Sequence, residues 1–149
     1  MDSTTGDFEI ERIVVVHDSG TPINPALVEG QVFGGAVQAL GAALSEELRY
    51  DGETGQLVNG TMMDSFAPLA CDIPPIELIS TAVPSPVTPL GVRGAGESGT
   101  IPIAAAVANA ICQALADFDV EIDRLPITPE AVWNALRAST KNEAANHDS

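Results

Sequence analysis

Residues 24–41 have the sequence NPALVEGQVFGGAVQALG, and this segment carries the clearest helix signal in the chain. Asn24 is a favoured N-cap residue, and Pro25 suits the first helical position because its missing N–H would have no partner there. The apolar side chains that follow share one broad face, so we predict a helix to about Glu47 whose face lies in the core. That face comprises Val32, Phe33, Ala36, Val37, Leu40 and Leu44.

Three glycines, Gly30, Gly34 and Gly41, lie on a narrow stripe of this helix, beside Gln31 and Gln38. Each glycine costs a helix about 0.5–1 kcal/mol relative to alanine. A helix that keeps three of them is therefore expected to meet another backbone, or a ligand, at close range. From these residues alone, tight packing against a sheet or helix and contact with a ligand both remain open.

The remaining pattern indicates strands before and after this helix. Phe8–Val16 ends in a β-branched run and predicts a strand that enters the interior. Asp51–Gly55 predicts a turn between strands near residues 47–50 and 56–62. Ile76–Val83 predicts another strand before a proline-rich stretch.

Two further helices are predicted towards the C-terminus. A four-residue apolar spacing predicts a buried helix that ends near Phe118, formed by Ile103, Val107, Ile111 and Leu115. The motif at residues 128–130 predicts a short third helix with three apolar residues, Val132, Trp133 and Leu136. Together, these elements predict an α+β fold in which a mixed β-sheet packs against the two longer helices. We expect a flexible N-terminus at 1–7, one domain at 8–138 and a disordered tail at 139–149.

Composition limits the classes of function. The chain has 149 residues, of which 45% are hydrophobic and 4% aromatic, as in one globular domain. Its formal net charge of -15 repels phosphate backbones and anionic lipids, so binding to nucleic acid or to a membrane surface is not expected.

The cysteines and the apolar stretches favour a cytoplasmic protein. Cys71 and Cys112 form no CxxC pair, so we expect two reduced, mostly buried thiols, although a disulfide stays open. The polar N-terminus lacks the features of a secretory signal. The longest apolar stretch, Ile101–Cys112, is too short to span a bilayer, so no membrane insertion is expected.

A second informative segment is residues 91–100, with the sequence GVRGAGESGT. Its four glycines surround one carboxylate, Glu97, and let a ligand approach the backbone. The segment fits neither a P-loop nor the dinucleotide-binding fingerprint. Two hypotheses remain: a tight turn whose glutamate caps the following helix, or a functional carboxylate that projects into a cleft.

The histidines offer weaker candidates. His17 and Asp18 could form a catalytic base and its orienting partner, but a strand-end pair that satisfies loop amides is the favoured interpretation. His17 and His147 are the only histidines, so no metal site formed by side chains is expected.

Two segments together resemble the large subunits of the molybdenum hydroxylases, namely xanthine dehydrogenase, aldehyde oxidoreductase and the aerobic carbon monoxide dehydrogenase. Residues 20–41, GTPINPALVEGQVFGGAVQALG, are similar to the family's helix with the pattern INP…GQ…GG…QG.G. Residues 94–98, GAGES, are similar to its G.GE loop. The order and spacing of these motifs, from Ile13 to Leu136, are similar to the C-terminal part of the molybdopterin-binding subunit.

The resemblance implies roles for four residues. Gln31 matches the glutamine that hydrogen-bonds the molybdenum–pterin cofactor near the apical oxo group of the metal. Ala95 and Gly96 match backbone positions that lie against the cofactor. Glu97 matches the glutamate that deprotonates a metal-bound water or hydroxide, which then attacks an electron-poor carbon.

The resemblance also implies partners. They are the remainder of the large subunit, an iron–sulfur subunit and an FAD subunit, with the cytosine dinucleotide as one option for the pterin form. The substrate would be an aldehyde, an N-heterocycle or carbon monoxide, and the lone chain is expected to be inactive. Ser65 departs from the aromatic residue that many members have, which leaves the substrate open. The alternatives are a non-enzymatic module for cofactor handling or assembly, a truncated remnant of the family, and a plain acidic interaction domain.

Overall fold

A computed structural model describes residues 1–64, 66–118 and 120–147. Ser65, and residues 148–149 of the expected tail, lie outside the described residues. Two strands and three α-helices occur in the order β1 Ile13–His17, α1 Pro25–Leu44, β2 Ile76–Ser80, α2 Ile103–Ala114 and α3 Pro129–His147. Short 3-10 turns, Pro89–Gly91 and Ala116–Phe118, precede and follow α2.

β1 and β2 form a parallel two-stranded sheet, in register from Ile13 opposite Ile76 to His17 opposite Ser80. Each strand is shorter than predicted, because β1 begins at Ile13 and not at Phe8, and β2 ends at Ser80. The sheet is parallel and not mixed: in the described part of the chain, antiparallel pairing is limited to two isolated bridges.

α1 begins as predicted. The N–H of Leu27 donates a hydrogen bond of 3.2 Å to the Oδ1 of Asn24, which is therefore the N-cap. Val32, Ala36 and Leu40 are buried, as expected for the core face. Phe33 was expected in the same face but is 44% exposed, so that part of the prediction is wrong.

α2 confirms the four-residue spacing, since Ile103, Val107, Ile111 and Leu115 are all buried. The hydroxyl of Thr128 accepts a hydrogen bond of 3.1 Å from the N–H of Ala131 and caps α3. α3 is longer than the short helix predicted and continues through most of the 139–149 range, where the sequence predicted a disordered tail. In the described residues the three helices have 20, 12 and 19 residues, so the predicted number of helices is confirmed but the third helix is long and not short.

Two smaller predictions are corrected. The turn at residues 51–55 is present, with the N–H of Asp51 donating to the carbonyl of Gln56 over 2.8 Å, but the flanking strands are reduced to one bridge between Tyr50 and Leu57. Both cysteines are free, yet Cys71 is exposed, so the expectation of mostly buried thiols is wrong for it.

The chain divides into two compact units. One comprises Met1–Glu9, Ala42–Ala67 and Ala105–Ser149; the other comprises Ile10–Gly41 and Pro68–Ala104. The second unit contains the sheet, most of α1 and the glycine-rich loop, so it contains every candidate site residue. In the first unit, the residues before β1 form a turn in which Gly6 is buried against the carbonyl of Pro129.

α1 is, among the described residues, the one helix long and apolar enough to cross a membrane by length and composition. The same properties are found in core helices of soluble proteins, and the buried face of α1 faces protein in this structure.

Candidate functional site

The glycine-rich loop folds into a closed turn around Glu97. The N–H of Thr100 donates to the carbonyl of Glu97 over 3.0 Å, and the hydroxyl of Ser98 donates to the carbonyl of Ala95 over 3.1 Å. The Glu97 side chain is exposed, and within the described ranges its carboxylate has no hydrogen-bond or ion-pair partner. This carboxylate therefore does not cap α2, which begins only at Ile103.

The loop packs directly onto the backbone of α1. A Cβ placed on Gly99 would lie 2.0 Å from the carbonyl oxygen of Val32 and 3.0 Å from the nitrogen of Ala36. A Cβ placed on Gly35 would lie 2.8 Å from the Oγ1 of Thr100. Since real Cβ contacts are longer than 3.0 Å, two glycines allow loop and helix to approach this closely.

The four residues of the family pattern lie close in sequence to this contact between the loop and α1. Gln31 is exposed and immediately precedes Val32, while Glu97 is exposed and lies two residues before Gly99. Because Gly99 lies against Val32, the backbones of Glu97 and Gln31 are in the same region of the unit. Ala95 is partly buried, and a Cβ on Gly96 would meet no atom of the described chain within 4 Å, so the backbone there is open to a ligand.

Two of the three glycines in the predicted stripe on α1 make no close approach. A Cβ on Gly30 or on Gly34 would meet nothing among the described residues within 4 Å. The close approach occurs instead at Gly35, which the stripe did not include. Its signal in the sequence was only the adjacent Gly34–Gly35 pair, which does not indicate which glycine faces a neighbour.

Asp18 follows β1 directly and connects it with two later segments of the same unit. Its Oδ1 accepts hydrogen bonds of 2.9 Å from the N–H of Gly20 and 3.0 Å from the N–H of Val83. Its Oδ2 lies 3.6 Å from the Nε of Arg93, at the start of the glycine-rich loop. The Gly20 hydrogen bond, followed by the Val83 bond and the Arg93 charge, lowers the pKa of Asp18 below its ordinary value despite some desolvation. These contacts confirm the interpretation for Asp18, whose carboxylate satisfies two loop amides, but not for the Nδ1 of His17, which has no partner among the described residues.

Two buried polar atoms lie on either side of Asp18 in the sequence, one on His17, a candidate from the sequence, and one on Ser19, which the sequence analysis did not single out. The Nδ1 of His17 and the Oγ of Ser19 are buried, and neither has a hydrogen-bond partner in the part of the chain that the structure describes. Buried polar atoms are normally satisfied by protein or by ordered water.

The side chains and open backbone of this region suit a larger cofactor better than a metal ion held by side chains. No group of three His, Cys, Asp or Glu side chains that could hold a metal ion occurs among the residues described. The exposed amide of Gln31, the open backbone at Gly96 and the carboxylate of Glu97 do fit a polar organic cofactor bound mainly through backbone and amide groups.

Comparison with known proteins identifies the family of this chain. Residues 1–74, which include Gln31, match the family model of the molybdopterin cofactor-binding domain. The nicotine 6-hydroxylase large subunit of Paenarthrobacter nicotinovorans is 42% identical over 137 residues, which cover 92% of this chain and 17% of that protein. The chain belongs to the family of molybdenum hydroxylase large subunits.

Solved structures of this family share the fold. Quinoline 2-oxidoreductase from Pseudomonas putida 86 is 45% identical with a TM-score of 0.79, over 83% of this chain and 16% of that one. A reconstituted CO dehydrogenase from Oligotropha carboxidovorans is 33% identical with a TM-score of 0.88, over 95% of this chain and 18% of that one. The chain therefore spans less than a fifth of the length of the family members that it matches.

Proposed function

We propose that residues 8–138 form one wall of a molybdenum-cofactor active site, the C-terminal part of a large subunit, and that Glu97 is its catalytic base. The observation that carries this proposal is the exposed, unpaired Glu97 carboxylate on a glycine loop seated against the helix that bears Gln31. A carboxylate held on a closed turn is a suitable general base, because its backbone does not have to reorganise during proton transfer.

Each residue has a separate task in this proposal. Gln31 donates or accepts a hydrogen bond with the cofactor, and the backbone at Ala95 and Gly96 lies against it. The bound molybdenum–pterin supplies the electron sink for the two-electron oxidation. Glu97 accepts a proton from the water that provides the oxygen atom, through one of its carboxylate oxygens. The exposed carboxylate would be shielded from bulk water only in the assembled site.

The substrate class is an aldehyde, an N-heterocycle or carbon monoxide. Two of the similar proteins are named for nicotine and quinoline, at 42% and 45% identity, so N-heterocycles are the first class to test. The cytosine dinucleotide is one option for the form of the pterin.

The assembly includes the remainder of the large subunit, an iron–sulfur subunit and an FAD subunit, in the cytoplasm. The exposed face of the sheet supports the first of these partners. Val14 and Val16 on β1 are 44% and 62% exposed, and Ile79, opposite Val16, is 42% exposed. Parallel sheets in proteins are normally covered on both faces, and the β-branched run of β1 is typical of a strand buried on both sides.

The test is affinity isolation of the tagged chain from its native cell, followed by molybdenum analysis and identification of co-purifying proteins. Molybdenum together with larger cysteine-bearing partners supports the proposal. Dye reduction by this complex is then measured with nicotine, quinoline, xanthine, benzaldehyde and carbon monoxide.

The role of Glu97 is tested in the same complex. The Glu97→Gln variant should keep its molybdenum and lose about 10²–10⁴-fold in turnover, the usual contribution of a general base. Glu53→Gln, in the exposed turn at residues 51–55, is the matched control and should retain full turnover. Wild-type turnover by Glu97→Gln contradicts the assignment of the base, and a metal-free chain without partners indicates a non-enzymatic module.

A further inference from the structure

The contact between Gly99 and Val32 is the point at which the loop bearing Glu97 meets the helix bearing Gln31. The Gly99 backbone lies against the peptide groups of Val32 and Ala36, both of which belong to fully buried residues. On the other side of the contact, Gly35 makes room for Thr100, with 2.8 Å between its hypothetical Cβ and the Thr100 Oγ1. The loop and the helix thus each have one glycine at the place where their backbones meet.

This contact is coupled to Glu97 through a short hydrogen-bonded path. The N–H of Thr100, the residue seated on Gly35, holds the carbonyl of Glu97 at 3.0 Å. On the helix side, Gln31 is the residue directly before Val32. A shift of the loop on α1 therefore changes the spacing between the base and the glutamine, although neither residue takes part in the contact.

We propose that Gly35 and Gly99 are positioning residues, which set the distance between the Glu97 carboxylate and the cofactor held by Gln31. This inference rests on the proposed function. The three atoms nearest to a Cβ on Gly99 all belong to the backbone of α1, so an added methyl group has to displace the whole loop. A Cβ on Gly35 would meet the side-chain hydroxyl of Thr100 at 2.8 Å and its backbone nitrogen at 3.0 Å, so removing the hydroxyl relieves the closest contact but not the second one.

The helix itself provides a matched control. Gly34 is adjacent to Gly35 in the same helix, and an added Cβ there meets nothing among the described residues within 4 Å. Alanine is a better helix former than glycine at both positions. Gly34→Ala should therefore stabilise the chain, whereas Gly35→Ala should combine the same gain with a clash.

The first experiment uses the full chain alone and does not depend on turnover. Amide hydrogen exchange at Thr100 reports the bond to Glu97. We expect exchange at least tenfold faster in Gly99→Ala and Gly35→Ala, with no change in Gly34→Ala. Adding Thr100→Ala to Gly35→Ala should slow the exchange again in part, because it removes the closest atom while the backbone contact at 3.0 Å remains. Unchanged exchange in both single variants overturns the inference.

The second experiment uses the cofactor-loaded complex. Gly99→Ala and Gly35→Ala should lower kcat at least tenfold, since small displacements of a catalytic group have large effects on rate. Molybdenum content and KM should stay within about twofold of wild type. A loss of molybdenum in proportion to the loss of kcat overturns the positioning role, because it indicates a structural defect. Wild-type turnover of Glu97→Gln, in contrast, contradicts the proposed function whatever the glycine variants do.

Discussion

The carboxylate of Asp18 accepts a hydrogen bond of 3.0 Å from the N–H of Val83, and so joins the end of β1 to the segment that follows β2. The same oxygen accepts a hydrogen bond from the N–H of Gly20, and the other carboxylate oxygen forms an ion pair with Arg93. One side chain therefore connects three segments that are distant in sequence, including the start of the glycine-rich loop.

We expect Asp18→Ala to lower the midpoint of urea unfolding more than Asp18→Asn does. Alanine leaves both N–H groups without an acceptor, whereas the single side-chain oxygen of asparagine can still accept both, because one oxygen of Asp18 accepts both. Asp123→Ala, at an exposed site, is the control and should change the free energy of unfolding by no more than about 0.5 kcal/mol. Equal midpoints for the Asp18→Ala variant and wild type would contradict the role of this carboxylate.

The stability contribution of Asp18 should disappear in acid. The hydrogen bond from the Gly20 N–H holds the folded-state pKa of Asp18 below its ordinary value of 3.8, so the folded protein binds the proton less readily than the unfolded chain. The contribution is therefore fully present above 3.8 and is lost as the pH falls through the lower folded-state pKa. Comparing melting temperatures of wild type and Asp18→Asn isolates this effect from Asp2 and Asp51, whose pKa values are also lowered. The difference should be constant near neutral pH and shrink below 3.8; a difference that grows in acid would reverse the assigned sign.

Gln31→Ala should reduce molybdenum retention in the assembled complex. The lost hydrogen bond to the cofactor is worth about 0.5–1.5 kcal/mol, which corresponds to a two- to tenfold weaker affinity. Metal analysis after extended dialysis measures this loss. Gln38→Ala, also an exposed glutamine of α1, is the control and should retain molybdenum as wild type does. Equal retention by both variants would remove Gln31 from the cofactor site.

Leu115→Ala should destabilise the first compact unit by about 2–5 kcal/mol, because the side chain is 0% exposed and its removal leaves a cavity. Val87→Ala, at a position that is 87% exposed, should have an effect below about 0.5 kcal/mol. Chemical denaturation monitored by circular dichroism gives both values. Similar losses in the two variants would contradict the assignment of Leu115 to the core.

The sequence predicted the features that depend on neighbours along the chain. Asn24 and Pro25 defined the start of α1, and the spacing of Ile103 and Val107 defined the buried face of α2, because caps and helical periodicity are local properties. The end of α3 was not predicted. Its last turns are polar and alanine-rich, and their sequence has no apolar pattern to mark a helix.

The sequence could not identify which glycine meets the loop. The choice between Gly34 and Gly35 depends on Thr100, which lies more than sixty residues further along the chain. Phe33 is exposed for a related reason. The predicted core face of α1 was wider than the part of the helix that other segments cover. For the site, Gln31, Ala95, Gly96 and Glu97 came from the family pattern and remain a prediction about chemistry.

The parallel pairing of β1 with β2 also has a consequence for synthesis on the ribosome. Ile13 pairs with Ile76, so β1 leaves the exit tunnel long before its partner has been made. Because synthesis proceeds at about 5–20 residues per second, this apolar strand stays unpaired for several seconds. During that interval a nascent chain carrying Ile13–His17 is a natural client for a ribosome-associated chaperone, and its yield should fall when such chaperones are depleted.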